Sequence, residues 1–138
     1  MKQFFVGQKA SFSRTITETD LVQFAGLSGD YNPIHVDKEY AKATRFGQRI
    51  AHGLLTTSLI SRLLGMHLPG LGSVYLGQTL KFIQPVFIGD TITASAEIIE
   101  INEEKNIIRL KTECKKADST VVLDGIATMM VPKEGDKI

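Results

Sequence analysis

Cysteine is almost absent from this chain. Cys114 is the only one, so no internal disulfide can form. It alternates with charged neighbours in Lys111-Thr112-Glu113-Cys114-Lys115, a pattern that turns it inward as strand-interior packing rather than a nucleophile. The three histidines, His35, His52 and His67, are scattered and make no familiar ligand spacing with it, so no metal is expected. Proline is scarce, with four residues, and a hydrophobic content of 43% argues against disorder. Excess charge is missing as well. Acids and bases are interspersed to a net +1, which excludes a nucleic-acid-binding stripe and an acidic tail.

Long apolar runs are lacking too. The most apolar window, Ile50 to Leu68, is interrupted by His52, Arg62 and His67 before it reaches membrane-spanning length, and it reads as a core helix. Met1 to Gly7 is too short an apolar stretch for a secretory signal. The expectation is a cytoplasmic, reducing location with no membrane partner. Repeats, low-complexity tracts and linkers are also absent, so residues 1–138 read as one domain. A chain of this length buries roughly 68% of its unfolded surface, enough for a core.

What is present divides by period. Val6 to Ser13 reads as a short first strand. Thr17 looks like an N-cap with carboxylates in the following turn, and Leu21, Val22, Phe24, Ala25 and Leu27 form the apolar side of a helix that Gly29 ends. Asp37 caps a second helix, Lys38 to Thr44. Gly53 to Met66 is apolar nearly all round, with Arg62 its only charge, and predicts a helix buried on most sides. Beyond Pro69-Gly70 the period becomes two. Leu76, Leu80 and Phe82 share one face, as do Ile92, Ala94, Ala96 and Ile98. Ile108, Leu110, Thr112 and Cys114 share another, and Val121 to Val131 makes the last strand. One buried helix followed by four long antiparallel strands predicts an α+β chain, its sheet curled around the helix. A hot-dog fold fits, as do other layouts of one helix on a sheet.

Two elements carry chemistry. The run Gly29-Asp30-Tyr31-Asn32-Pro33-Ile34-His35 sets a carboxylate and an imidazole on a short turn stiffened by Pro33, with Asn32 placed to hold the turn by hydrogen bonding. Ala51-His52-Gly53-Leu54-Leu55 puts the Gly53 amide at the start of the buried helix, where unpaired N–H groups and the helix dipole favour negative charge. Together these residues point to acid–base chemistry on a carbonyl compound. His52 reads as a structural hydrogen-bonding residue at the helix start. Taken alone, an Asp and a His five residues apart more often mark a surface turn than a catalytic pair.

Asp30-Tyr31-Asn32-Pro33-Ile34-His35 resembles the D-x-N-P-[hydrophobic]-H motif of the MaoC-like, (R)-specific enoyl-CoA hydratases. The likeness continues through Ala51–Leu55, Tyr75–Phe82 and Pro85–Asp90, in order and over nearly the whole chain. The resemblance implies a hot-dog fold and reversible syn hydration of a trans-2-enoyl-CoA to an (R)-3-hydroxyacyl-CoA. It assigns Asp30 and His35 to the attacking water, and it makes a composite site with the helix of Gly53, whose amide would stabilise the enolate oxygen. It gives Ser58, further along that helix, a positioning role, against which stands a plain hydrogen bond to a carbonyl one turn earlier. Asn32 would support the pair. The substrate would be an acyl-CoA, no cofactor is needed, and the partner would be a second copy in a homodimer or higher homo-oligomer. Arg45, Arg49 and Lys81 are the basic residues to consider for the coenzyme A phosphates. Two alternatives remain: a hot-dog acyl-CoA thioesterase, disfavoured because Gly53 to Met66 has no Asp or Glu, and a non-catalytic acyl-CoA-binding subunit.

Overall fold

The computed structural model describes residues 3–136; Met1 and Lys2, part of the stretch weighed as a signal, lie outside the described residues. Six strands and four helices occur in the order β1 (Lys9–Thr15), α1 (Glu18–Ser28), α2 (Pro33–Val36), α3 (Lys38–Lys42), α4 (Gly53–Met66), β2 (Val74–Gln78), β3 (Lys81–Phe82), β4 (Thr91–Asn102), β5 (Ile107–Lys116) and β6 (Val121–Met130). The strands form one antiparallel sheet in the order β1-β4-β5-β6-β2, with β3 also paired to β6. This sheet wraps α4, the hot-dog arrangement. No helix among the described residues is long and apolar enough to cross a membrane.

The central helix has the bounds its composition predicts. Leu55, Leu59, Ile60, Leu63 and Leu64 are buried along it, each worth about 2 kcal/mol of hydrophobic stabilisation. Burial is one-sided rather than all-round, because Leu54 and Arg62 face outward. The inner faces of β4 and β5 alternate as expected: Ile92, Ala94, Ala96 and Ile98 are buried opposite Ile108, Leu110, Thr112 and Cys114. The two alanines leave room for α4 to lie close to the sheet, and bulges at Ile98/Glu100 and Cys114/Lys115 add the twist that curls it. Burial pushes the Cys114 thiol up to about 12, with Glu113 adding to the effect, which leaves it inert as packing.

Three expectations need correction. The first strand begins at Lys9, not Val6, because Phe5 to Gln8 closes a turn through the Gln8 N–H and the Phe5 carbonyl. The run after α4 is not a fourth long strand. It breaks at Thr79, whose hydroxyl accepts the Ile126 N–H that a continuous ladder would direct to a carbonyl. Val22 and Leu27, assigned to the apolar side of α1, are exposed, and only Leu21 and Ala25 of that set are fully buried. The α1 cap is as read: Thr17 Oγ1 accepts the Asp20 N–H, and the Thr17 N–H returns to the Asp20 carboxylate, which is also held by Arg14 at 2.6 Å.

Gly125 in β6 lies under the β2–β3 break. A Cβ there would sit 1.7 Å from the Thr79 carbonyl oxygen. The break is fastened by Gln78, whose Nε2 donates to the Thr79 carbonyl and to Thr112 Oγ1, while the Thr112 hydroxyl donates to the Gly125 carbonyl. Gly125→Ala cannot be accommodated without separating these strands. It is expected to cost about 2 kcal/mol or more in chemical denaturation, and a loss under about 0.5 kcal/mol would refute this account.

Candidate active site

Gly29 ends α1 because it takes a left-handed φ of 78° and turns its N–H back to the Ala25 carbonyl. The chain that leaves it is fastened residue by residue. Ser28 Oγ accepts the Asp30 N–H, Asp30 Oδ1 accepts the Asn32 N–H, and Asn32 Oδ1 accepts the Ile34 N–H, with Pro33 opening α2. Asn32 therefore caps the turn as expected. With Oδ1 tied to its own loop, Asp30 presents Oδ2 to His35 Nε2 across 4.0 Å.

His35 is held from three sides. Its Nδ1–H donates to the Ile50 carbonyl at 2.8 Å, which leaves the lone pair of the neutral ring on Nε2, facing Asp30. Arg49 Nε donates to the His35 carbonyl at 2.8 Å, and its Nη1 pairs with Glu18 of α1 at 3.0 Å. Arg49 is thus a brace rather than a free phosphate contact. The His52 ring stacks on the His35 ring at 3.8 Å between centroids and 22° between planes, and its Nε2–H donates to the Asp30 carbonyl at 3.0 Å. The His35 pKa is lowered from the ordinary 6.5. Burial is the main cause and His52 adds to it, while the Ile50 bond and the Asp30 carboxylate oppose it.

These groups line a cavity of about 580 Å³ between the Asp30–His35 turn, the head of α4 and the β3–β6 edge of the sheet. Its walls are largely apolar (Phe24, Phe82, Val86, Val122) and include the polar Asp30, His35 and His52, the usual make-up of a small-molecule site. Gly53 is on this wall. A Cβ at Gly53 would lie 2.7 Å from Phe82 Cε1, so glycine lets the aromatic ring seat against the helix head. As the first residue of α4, Gly53 has an N–H with no intrahelical acceptor. Exposed Arg45 stands on the rim.

The structure brings Asp30, His35 and Gly53 to one cavity with Asn32 behind them. It does not bring Ser58, whose hydroxyl bonds to the Leu55 carbonyl on the exposed side of α4; the one-turn hydrogen bond is the reading that holds there. His52 makes the structural hydrogen bond at the helix start that was read for it, through the Asp30 carbonyl, but two features escaped sequence reasoning. The stacking of His52 had no signal, since it spans seventeen positions of chain. Thr56 Oγ1 is buried in the cavity wall without a hydrogen-bond partner among the described residues, and only its spacing of four from His52 hinted at a shared face. Side-chain polar atoms of Asp30, His35 and His52 lie within 4.8 Å of one another, which makes them one cluster of titratable groups.

Comparison with known proteins fits this architecture. Residues 3–121 match the family model described as MaoC like domain. An (R)-specific enoyl-CoA hydratase of Rhodospirillum rubrum is 49% identical over 94% of this chain and 89% of its own length, and a 3-hydroxybutyryl-CoA dehydratase of Methylorubrum extorquens is 46% identical over 94% and 82%. The solved (R)-hydratase from Aeromonas caviae involved in PHA biosynthesis superposes with a TM-score of 0.93 at 42% identity, covering 96% of this chain and all of that one. A curled sheet around one helix, a family match over most of its length and relatives this similar show that the chain belongs to the MaoC-like domain family.

Proposed function

We propose that the chain hydrates trans-2-enoyl-CoA reversibly and syn to (R)-3-hydroxyacyl-CoA. The observation that carries this reading is the Asp30 carboxylate facing His35 Nε2 across 4.0 Å in a largely apolar cavity that Gly53 also lines. A water held between the two groups has a base on one side and a carboxylate acceptor on the other. His35 Nε2, its tautomer set by the Ile50 carbonyl, takes the water proton as the oxygen bonds to C3. The electron pair of the C2=C3 bond passes to C2 and the thioester oxygen, where the Gly53 N–H receives the enolate charge. A proton then reaches C2 from the same cluster, Asp30 acting as carrier, so oxygen and hydrogen add to one face. Substrate, water and side chains complete the balance, and the reaction calls for no cofactor.

The reading includes a homodimer in the cytoplasm. Strand β2 is a free edge of the sheet and carries exposed Val74, Tyr75 and Leu76, with exposed Phe82 and Ile83 beside it. Unpaired backbone groups next to apolar side chains favour pairing with a second copy through β2. The dimer would then cover the open side of the cavity near Phe82.

The test follows loss of enoyl-thioester absorbance with crotonyl-CoA and octenoyl-CoA, coupled separately to (R)- and (S)-specific hydroxyacyl-CoA dehydrogenases. Signal through the (R) enzyme alone is expected, from protein that light scattering sizes at twice the chain mass. Release of free thiol without hydration would replace the reading with a thioesterase, and no turnover by folded protein would replace it with a binding subunit. A monomer would remove the dimer.

A further inference from the structure

We infer that His52 is the positioning residue of the proposed acid–base pair, a single imidazole that holds the Asp30 backbone by its edge and the His35 ring by its face. The inference rests on the hydratase reading for its kinetic consequences, though not for its geometry. Asp30 leaves α1 and His35 sits on α2; the Ser28, Asp30 and Asn32 side-chain bonds shape their turn locally, but none of them refers it to the rest of the fold. His52 comes from the head of α4, the most deeply packed helix, and supplies that reference. Its Nε2–H donates to the Asp30 carbonyl at 3.0 Å, its ring stacks on His35 at 3.8 Å, and Phe24 of α1 closes its other surroundings at 4.8 Å. His52 is 3% exposed, and its Nδ1 is buried without a partner among the described residues. The bond to Asp30 is therefore the ring's one hydrogen-bonding anchor.

Holding an imidazole by stacking has a chemical effect that a hydrogen bond would not. The second ring displaces water from one face of His35 and disfavours a proton on it, and both effects lower the His35 pKa. The charged and titratable groups around His35 are Asp30 in the turn, Asp37 at the end of α2, His52 on α4, Arg45 on the cavity rim, and Arg49 with its α1 partner Glu18. Arg49 reaches the His35 carbonyl and Arg45 is exposed, so His52 is the group stacked on the ring itself.

The test uses His52→Gln, which retains a donor and loses the ring face, and His52→Phe, which retains the face and loses the donor. Each is expected to lower kcat about tenfold or more with KM within about threefold, as for displaced rather than missing chemistry. In a His35→Gln background the same substitutions are expected to change the residual rate less than about twofold, because the pair that His52 positions is already broken there. NMR titration of the His35 ring, read without any substrate, is expected to move upward in pH in His52→Gln. An unchanged His35 midpoint, or kinetic losses that add to those of His35→Gln, would overturn the inference. If the parent shows no hydration, the hydratase reading fails while the NMR arm still decides the role of His52.

Discussion

His35→Gln and Asp30→Asn are each expected to lower kcat for enoyl-CoA hydration by about a thousandfold, within the range lost when an acid–base group is removed. The reason is geometric. His35 has one nitrogen committed to the Ile50 carbonyl and one facing the Asp30 carboxylate, so a glutamine that fills the space has no basic atom to offer the water. Asparagine at position 30 can keep the bond to the Asn32 N–H and so preserve the turn, but it loses the negative charge that faces the imidazole. The pH dependence follows from the same site. Because burial lowers the His35 pKa, the free-base ring persists below the ordinary 6.5, and kcat/KM is expected to fall only as pH drops through that lowered value. The His35→Gln residual rate should lack that acid limb. Near-parent rates in either folded variant would remove the pair, and a limb at or above 6.5 in the parent would remove the lowered His35 pKa.

Gly53→Pro, compared with Gly53→Ala, is expected to lose about a further hundredfold in kcat, close to the 3 kcal/mol that one oxyanion donor supplies. The comparison isolates the amide. Proline is well tolerated at the first position of a helix, where its missing N–H has no backbone partner. Both variants add a Cβ against Phe82, whose ring end lies 2.7 Å from that position and must swing aside, and alanine reports that disturbance alone. Circular dichroism that shows α4 intact in both variants completes the control. Equal rates for proline and alanine would mean that the enolate charge is received elsewhere.

Local patterns were readable where each residue's burial is set by one partner surface. The β4 and β5 alternation, the bounds of α4 and the Thr17 cap of α1 all satisfy that condition, since side-chain period and backbone caps act over a few residues. The pattern misled where an apolar residue had no surface to meet. Leu27, six residues beyond Leu21 and so about 120° away round the helix, is 86% exposed, and Leu76 and Phe82 lie open on the sheet edge that we propose a second copy covers. Arg49 looked like a residue for phosphates because sequence reports charge and not its partner. In the fold the guanidinium is taken by Glu18 and by a backbone carbonyl next to the cavity.

The sequence by itself determined the α+β class, the position of the central helix, the Asp30–His35 turn with its Asn32 cap, and the glycine at the helix head. Each depends on torsional preference, capping or periodicity acting over a handful of neighbours. Only the tertiary structure decided that His52 would stack on His35, that Ile50 would select its tautomer, that Arg49 would brace it and that Ser58 would face away. Those outcomes depend on how α4 packs into the curl of the sheet against residues such as Ala94 and Ala96 of β4, a strand distant in the chain, which no local pattern records.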